Sequence, residues 1–320
     1  VDYYNTNTSN MLLYVPVPLL TGYSTSLQNL GKVNNRGWEL ALTSQHTFAN
    51  GFGYSFNANY AKNTNEVKEL GPGNAPIISS GSVGHAYYIT EVGKPIGNYY
   101  LLVQDGIFAT EEDLKKYPHF DNTEVGDFRF VDVDGDGKLD LDKDRTICGN
   151  YMPKFTYGFG GKLWYAGFDM DFNFQGVYGN KILNLNKRYL DNMEGNTNGT
   201  KIALDRWKSP ENPGSGSVNK ANRKQTGYNS RTSTWHLESG SYLRLQNLSL
   251  GYTLPRALTQ KFKVEKMRVY VSGQNLFTIT NYSGYNPEVN ARPSKNLTPG
   301  EDYGTYPLAR TYMFGLNLTL

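Results

Sequence analysis

Apolar and polar residues alternate with a period of two along much of the chain. After Arg36, even positions Trp38, Leu40 and Leu42 are apolar, while Glu39, Thr43 and Gln45 are polar. Beyond Ala49-Asn50-Gly51, Tyr54, Phe56, Ala58 and Tyr60 oppose Ser55, Asn57 and Asn59. Phe155, Tyr157, Phe159, Leu163 and Tyr165 oppose Thr156, Gly158, Gly160 and Lys162. Phe168, Met170, Phe172 and Phe174 then oppose Asp169, Asp171, Asn173 and Gln175. Leu243 and Leu245 give way to Leu248, Leu250 and Tyr252, a parity switch near Gln246-Asn247 that predicts a β-bulge. Met267, Val269 and Val271 oppose Arg268, Tyr270 and Ser272, and Tyr312, Phe314, Leu316, Leu318 and Leu320 oppose Met313, Gly315, Asn317 and Thr319. Successive strand side chains point to opposite faces, so each run predicts a strand with one apolar and one polar face. With the opening segment, about eight strands are expected, near 2–15, 36–48, 52–64, 154–166, 168–179, 241–254, 265–279 and 308–320.

The connections alternate short and long. Asn50-Gly51, Ala166-Gly167 and 255–264 are short; 16–35, 67–153, 180–240 and 281–307 are long. Every long loop therefore falls at one end of the sheet. A two-sheet sandwich also alternates, but its loops rarely segregate in this way, whereas outer-membrane barrels carry short periplasmic turns and long extracellular loops. The polar face, with Asp169, Asp171, Asn173 and Gln175, cannot lie against lipid, and the Phe168, Met170, Phe172 and Phe174 face needs a cover. A polar lumen inside and lipid outside satisfy both. The fold class expected is all-β, a transmembrane antiparallel barrel.

Composition agrees with this. The 320 residues include 34 Gly, 25 Tyr and only 19% charged residues, with polarity carried by Asn, Thr, Ser, Gly and Tyr. Strong helix formers are scarce, which argues against a helical bundle, and aromatics at 14% argue against disorder. A net charge of +3 is too small and dispersed for a nucleic-acid footprint, so no nucleic-acid partner is expected. The single cysteine, Cys148, excludes an internal disulfide and a cysteine zinc site. No apolar run is long enough for a transmembrane helix, a test blind to barrel strands. The chain starts at Val1 without Met and already in strand-like sequence, as expected of a piece of something longer.

Gly315, Leu318 and Leu320 have the spacing Gly-x-x-hydrophobic-x-hydrophobic, resembling the terminal strand that the insertion machinery reads in outer-membrane barrels. Further blocks carry a more specific resemblance. Tyr242-Leu243-Arg244-Leu245-Gln246-Asn247-Leu248-Ser249-Leu250-Gly251-Tyr252-Thr253-Leu254-Pro255 resembles a strand of SusC/RagA-type TonB-dependent transporters. So do Arg268-Val269-Tyr270-Val271-Ser272-Gly273-Gln274-Asn275-Leu276-Phe277-Thr278, the following Tyr285-Asn286-Pro287-Glu288, and Tyr306-Pro307-Leu308-Ala309-Arg310-Thr311-Tyr312. Upstream, Asn29-Leu30-Gly31-Lys32 through Gly37-Trp38-Glu39-Leu40 fits in the same order.

The resemblance implies the C-terminal portion of a barrel of about 22 strands, with plug and TonB box outside this chain. It implies import of a glycan oligomer or peptide across the outer membrane of a Bacteroidetes-type bacterium, energised by TonB–ExbB–ExbD. A SusD-type lipoprotein would form the lid, outer-membrane lipid would surround the wall, the long loops would be extracellular and the C-terminus periplasmic. A dimer of transporter–lid pairs is one expected assembly. Two other readings remain open: a stand-alone eight-stranded barrel acting as adhesin or anchor, and a secreted carbohydrate-binding sandwich.

The longest loop contains Asp132-Val133-Asp134-Gly135-Asp136-Gly137-Lys138-Leu139-Asp140, the first half of an EF-hand-type calcium loop. Alternate carboxylates at Asp132, Asp134 and Asp136 can wrap a hard cation, Gly137 permits the turn, and Lys138 offers its carbonyl. The usual closing acid is replaced by Lys143, so Asp140, Asp142 and Asp144 are the candidates to complete the shell. The expected cofactor is a structural Ca2+ or Mg2+ that stiffens residues 132–144; a solvated acidic turn is the alternative. The SusC-type resemblance extends to Asp144-Arg145-Thr146-Ile147-Cys148-Gly149.

No catalytic constellation is found, and no enzyme activity is expected. His46, His85, His119 and His236 lack metal spacing, and Cys148 has no activating neighbourhood beyond Arg145. Gly158-Phe159-Gly160-Gly161 lies inside a strand and opens no helix, unlike a phosphate loop. Loop aromatics Tyr87, Tyr88, Tyr99, Tyr100 and Trp235 are candidates for ligand or lid contact, with packing between loops as the preferred reading. A short helix is expected within 180–207, where Ile182, Leu183, Leu185, Tyr189 and Leu190 form a candidate lid surface.

Overall fold

The computed structural model describes residues 1–320 apart from 18, 19, 21, 24, 84, 196, 225 and 226. Its frame is one sheet of eight strands: β1 Asp2–Pro16, β2 Thr25–Thr47, β3 Gly53–Glu69, β4 Phe155–Tyr165, β5 Phe168–Tyr178, β6 Tyr242–Thr253, β7 Lys266–Thr280 and β8 Thr311–Thr319. The strands lie in chain order, each antiparallel to the next. The sheet is open: among the described residues, β1 and β8 each have a neighbour on one side only. Among the described residues no second sheet of this size faces it as in a sandwich, and β1 does not pair with β8 to close a barrel.

Local sequence explains the short turns. Ala166 (φ +49°) and Gly167 (φ +87°) both take left-handed backbone, the geometry that matches the twist of a tight β4–β5 hairpin. At the β2–β3 turn, Gly51 takes φ +84° and donates to Phe48 O at 2.9 Å. The parity switch in β6 is a bulge: against β5, Phe174 pairs with Leu245 and Asn173 with Asn247, leaving Gln246 as the extra residue.

The expected long connection over 16–35 is mostly strand. β2 begins at Thr25 and pairs with β1 from Pro16↔Thr25 to Asp2↔Glu39, leaving only residues 17–24, some outside the described set, between them. The alternation missed this because its phase inverts. On the face that carries Trp38 and Leu40, the upper positions are Arg36 and Asn34; on the Gly37 and Glu39 face, Val33 is apolar. Asn34 donates to Asn5 at 2.6 Å and to Asn7 at 2.9 Å, while Val33 packs with Val67, Leu70, Ile77 and Ile96. Where the wall rises out of the apolar band, outside becomes polar and inside meets the loops.

The apolar face ends in two aromatic belts. At the short-turn end Phe48 lies 5.9 Å from Phe52, Phe52 6.5 Å from Tyr165, and Phe168 4.5 Å from Tyr252. Toward the loop end Tyr3 lies 4.7 Å from Trp38, Tyr60 5.3 Å from Phe155, and Phe155 4.9 Å from Tyr178. Paired girdles bounding an apolar band are the signature of a sheet that crosses a bilayer, because amphipathic rings settle at the two interfaces.

The long loops form a folded layer of their own. Ile77–Ser80, Tyr87–Thr90, Asn98–Leu102 and Arg145–Gly149 make a four-stranded sheet, and Gln104–Ile107 pairs with Phe128–Phe130. Lys181–Asn184, Leu237–Ser239 and Glu301–Asp302 form a third sheet, whose last strand comes from a different loop. The deepest apolar residues lie here: Tyr88, Tyr99 and Leu101 pack with Leu183 and Leu185, and Leu102, Ile107 and Phe128 with Phe120 and Phe130. Glu301, fully buried, ties the layer together by accepting from Ser82 N at 3.0 Å and Tyr88 Oη at 3.0 Å.

Candidate functional site

The polar face of the wall is built for charge. Asp169 on β5 accepts from Arg268 Nε at 2.9 Å and Nη2 at 2.6 Å, a bidentate pair near the short-turn end. Near the loop end, Arg244 of β6 is buried and reaches Glu288 and Asn286 in the segment after β7. Gln175 of β5 and Tyr242 also donate to Glu288, at 3.3 and 2.6 Å. The loop after β7 is thus tied down to the inner wall rather than left free.

In the acidic loop three of the expected seven ligand residues come together. Carboxylate oxygens of Asp132, Asp134 and Asp136 all lie within 4.8 Å of one another. Asp132 accepts from Gly135 N at 2.7 Å and Gly137 N at 2.8 Å, and Gly135 (φ +73°) and Gly137 (φ +82°) supply the left-handed backbone the tight turn needs. The expected closing residues are engaged elsewhere. Asp144 is 1% exposed, accepting from Val133 N at 2.8 Å and Asp140 N at 2.6 Å. Asp140 accepts from Asp142 N at 2.7 Å, and Asp142 faces Arg145 at 3.1 Å. Lys138 contributes its N–H to Asp136 Oδ1 at 2.9 Å, and Lys143 Nζ stands 3.9 Å from Asp136. The oxygen donors suit a hard cation, and Asp144 braces the loop from below.

The aromatic candidates divide by burial. Tyr99 is fully buried; its ring lies 5.3 Å from Tyr88 and its hydroxyl donates to Lys181 O at 3.1 Å and Gly300 O at 3.0 Å, so it cannot present a face to a solute. Burial pushes its phenol well above the usual range. Trp235 is half-buried and packs 5.1 Å from Phe128, with Lys187 Nζ 4.2 Å over its ring. These ring contacts have one cause: large rings in these loops are the most effective way to give a loop layer a core. Tyr100, on the other side of the same strand, is half-buried. In the expected lid segment Lys187–Leu190 is a single helical turn; Ile182, Leu183 and Leu185 are buried, and Tyr189 and Leu190 are exposed. Cys148 is held against Thr146 O at 3.3 Å and its thiol is pushed up to about 11 by burial, a position without nucleophilic character.

A family model described as TonB dependent receptor-like, beta-barrel matches residues 1–276. The chain belongs to that family. It is 34% identical over 330 residues to TonB-dependent receptor P3 of Formosa agariphila, covering 99% of this chain and 32% of the relative. It is 26% identical over 324 residues to TonB-dependent receptor SusC of Bacteroides thetaiotaomicron, covering 99% of this chain and 30% of that protein. Among solved structures it superposes with a TM-score of 0.76 on the RagAB peptide importer in its open-open state, at 25% identity, covering 99% of this chain and 32% of that one. The chain therefore spans about a third of the length of the relatives it matches.

In this TonB-dependent receptor wall, Gly315 sits on β8 opposite Tyr270, and a Cβ at that position would stand 2.1 Å from the Tyr270 ring. The glycine is there so that the tyrosine can lie flat across the inner face. Leu318 pairs with Met267 on β7, and Leu318 and Leu320 are exposed on the apolar face. The girdles and the loop layer were the features that sequence reading missed. The first could have been found by asking which strand ends carry Tyr, Trp and Phe.

Proposed function

We propose that this chain is the C-terminal wall and extracellular loop layer of a TonB-dependent outer-membrane transporter of the SusC/RagA type. The carrying observation is the open eight-stranded sheet, with a girdled apolar face, a charged inner face and every long connection at one end. Such a sheet needs further strands beyond β1 and β8, and a plug, to control passage. The cargo is a glycan oligomer or a peptide, the second being what the RagAB importer is named for. A SusD-type lipoprotein covers the extracellular end, Tyr189 and Leu190 being candidate contacts, and TonB–ExbB–ExbD supplies energy through segments outside this chain. Gly315, Leu318 and Leu320 serve the insertion machinery, and half-buried Tyr100 and Trp235 are the candidate aromatics for solute or lid contact.

Residues 132–144 hold a structural Ca2+ through Asp132, Asp134 and Asp136, with the Lys138 carbonyl and water completing the shell. Its role is to stiffen the loop.

The direct test is uptake. A strain lacking the intact gene should lose growth on one class of oligomer, and the gene should restore it only when TonB is present. TonB-independent rescue would overturn the transporter reading. Affinity purification of the intact protein should bring a surface lipoprotein in near-equal amount.

A further inference from the structure

One corner of the loop layer gathers guanidinium groups around His85. Arg231 Nη1 lies against the His85 ring, 2.7 Å from Nδ1. Arg188 and Arg145 stand close enough that their charges bear on both His85 and Arg231. Arg145 has a partner, Asp142 at 3.1 Å, but that carboxylate is 88% exposed and well solvated. Among the described residues neither Arg188 nor Arg231 forms an ion pair. Burial and the surrounding guanidinium groups hold the His85 imidazole down to about 4, so at neutral pH it adds no charge of its own.

The cluster is also held in place. Arg145 lies 3.8 Å over the Tyr87 ring, and Arg231 lies 5.1 Å from the Tyr228 ring, which itself stacks 3.9 Å on Phe120. Arg188 donates one N–H to Ser230 O. Arg188, Arg231 and His85 are only half-buried, so solutes can reach them while water is partly excluded. Arg231, set against the Tyr228 ring, and Arg188, held on the Ser230 carbonyl, are planar guanidinium groups fixed before binding; such groups suit a planar, bidentate anion, and fixing them beforehand removes an entropic cost.

We propose that Arg188 and Arg231, flanked by His85, form a subsite for a carboxylate carried by the imported oligomer. This rests on the import reading and narrows it: the cargo, whether peptide or glycan, is acidic. Acidic peptides and uronate-containing glycans present the same group, and the probes below separate them.

The experiment is calorimetric titration of the intact, detergent-solubilised transporter with triglutamate and trigalacturonate, each beside a neutral counterpart, trialanine and maltotriose. One acidic trimer should bind at least about ten-fold more tightly than its neutral counterpart, and that affinity should fall as NaCl rises from about 50 to about 300 mM. Arg188→Gln with Arg231→Gln should weaken it by about ten-fold or more, and Arg188→Lys with Arg231→Lys should bind more tightly than the glutamine pair. Which trimer binds assigns the cargo class. Equal binding of acidic and neutral trimers, or salt-independent affinity, overturns the subsite even if the glutamine variant does not fold. TonB-dependent uptake of neutral oligomers without acidic binding sinks the subsite alone. Arginine-dependent binding of an acidic trimer without any uptake sinks the import reading alone.

Discussion

Arg244 of β6 and Glu288 of the segment after β7 form an ion pair that fastens a long loop to the inner wall. The guanidinium is almost wholly buried and also donates to Asn286 Oδ1 at 2.7 Å and, through Nε, to Thr278 Oγ1 at 2.9 Å. The carboxylate is about a third exposed, which tempers the pair's strength, but it is the only counter-charge that Arg244 has among the described residues. Both ends lie in blocks that resemble family motifs, and the contact explains why arginine and glutamate stand there.

Glu288→Gln should therefore loosen the loop without opening the wall. Leaving Arg244 unpaired costs about 1–3 kcal/mol after allowing for solvent screening. Hydrogen exchange over 281–290 should quicken by about ten-fold or more, while β6 and β7 amides stay protected. Unchanged exchange in that segment would show that the pair holds nothing.

Gly315→Ala should strain the β7–β8 pairing, because the new methyl meets the Tyr270 ring. Overpacking of this kind costs about 1–3 kcal/mol. The folded fraction, read by heat-dependent gel mobility, should fall in Gly315→Ala and recover when Tyr270→Ala is added. No recovery in the double variant would mean that the two residues act independently.

The acidic loop should respond differently to two kinds of substitution. Asp132→Asn with Asp134→Asn removes ligand charge and should abolish calcium binding measured on the metal-free protein, leaving the loop fold intact. Asp144→Ala removes the acceptor of two backbone N–H groups and should destabilise the segment by about 1–3 kcal/mol with or without calcium. Limited proteolysis between 132 and 144 distinguishes them: Asp144→Ala should be cut in both conditions. Equal calcium binding by the double variant would remove the metal from this loop.

Stability of the loop layer should fall in acid. His236 is fully buried, and burial with Lys187 and Arg188 nearby holds it down to about 3 from an ordinary 6.5. Its Nδ1 accepts from Ser233 N at 3.2 Å, which needs the neutral ring. The unfolded chain binds the proton first, so stability is complete above about pH 6.5. It declines by about 1.4 kcal/mol per unit between there and the folded value. His236→Asn keeps an acceptor and loses the titration; its melting temperature should vary less between pH 7 and pH 5 than the parent's. Parallel pH profiles would contradict this assignment.

The wall was legible in the sequence because its signal is local. Trp38-Leu40-Leu42 and Phe168-Met170-Phe172-Phe174 mark a membrane-facing strand without reference to any other part of the chain, since period two follows from backbone geometry alone. The Gln246 bulge was legible for the same reason. The upper half of β2 was not, because Val33 and Asn34 answer to the loop core and to Asn5 and Asn7, partners far away in sequence. Asp132, Asp134 and Asp136 were readable as a turn of carboxylates, whereas the commitment of Asp144 to Val133 and Asp140 depended on how the loop folds back.

By itself, then, the sequence determined strands, faces, the sidedness of the loops and the family, all of which rest on near-neighbour spacing. Only the tertiary structure decided that Tyr99 is packing, that Arg244 meets Glu288, and that Arg188, Arg231 and His85 converge. Those outcomes depend on which long loops share a core. Residues as far apart as Tyr88 and Glu301 settle that by burying polar and apolar groups together, and no local pattern records it.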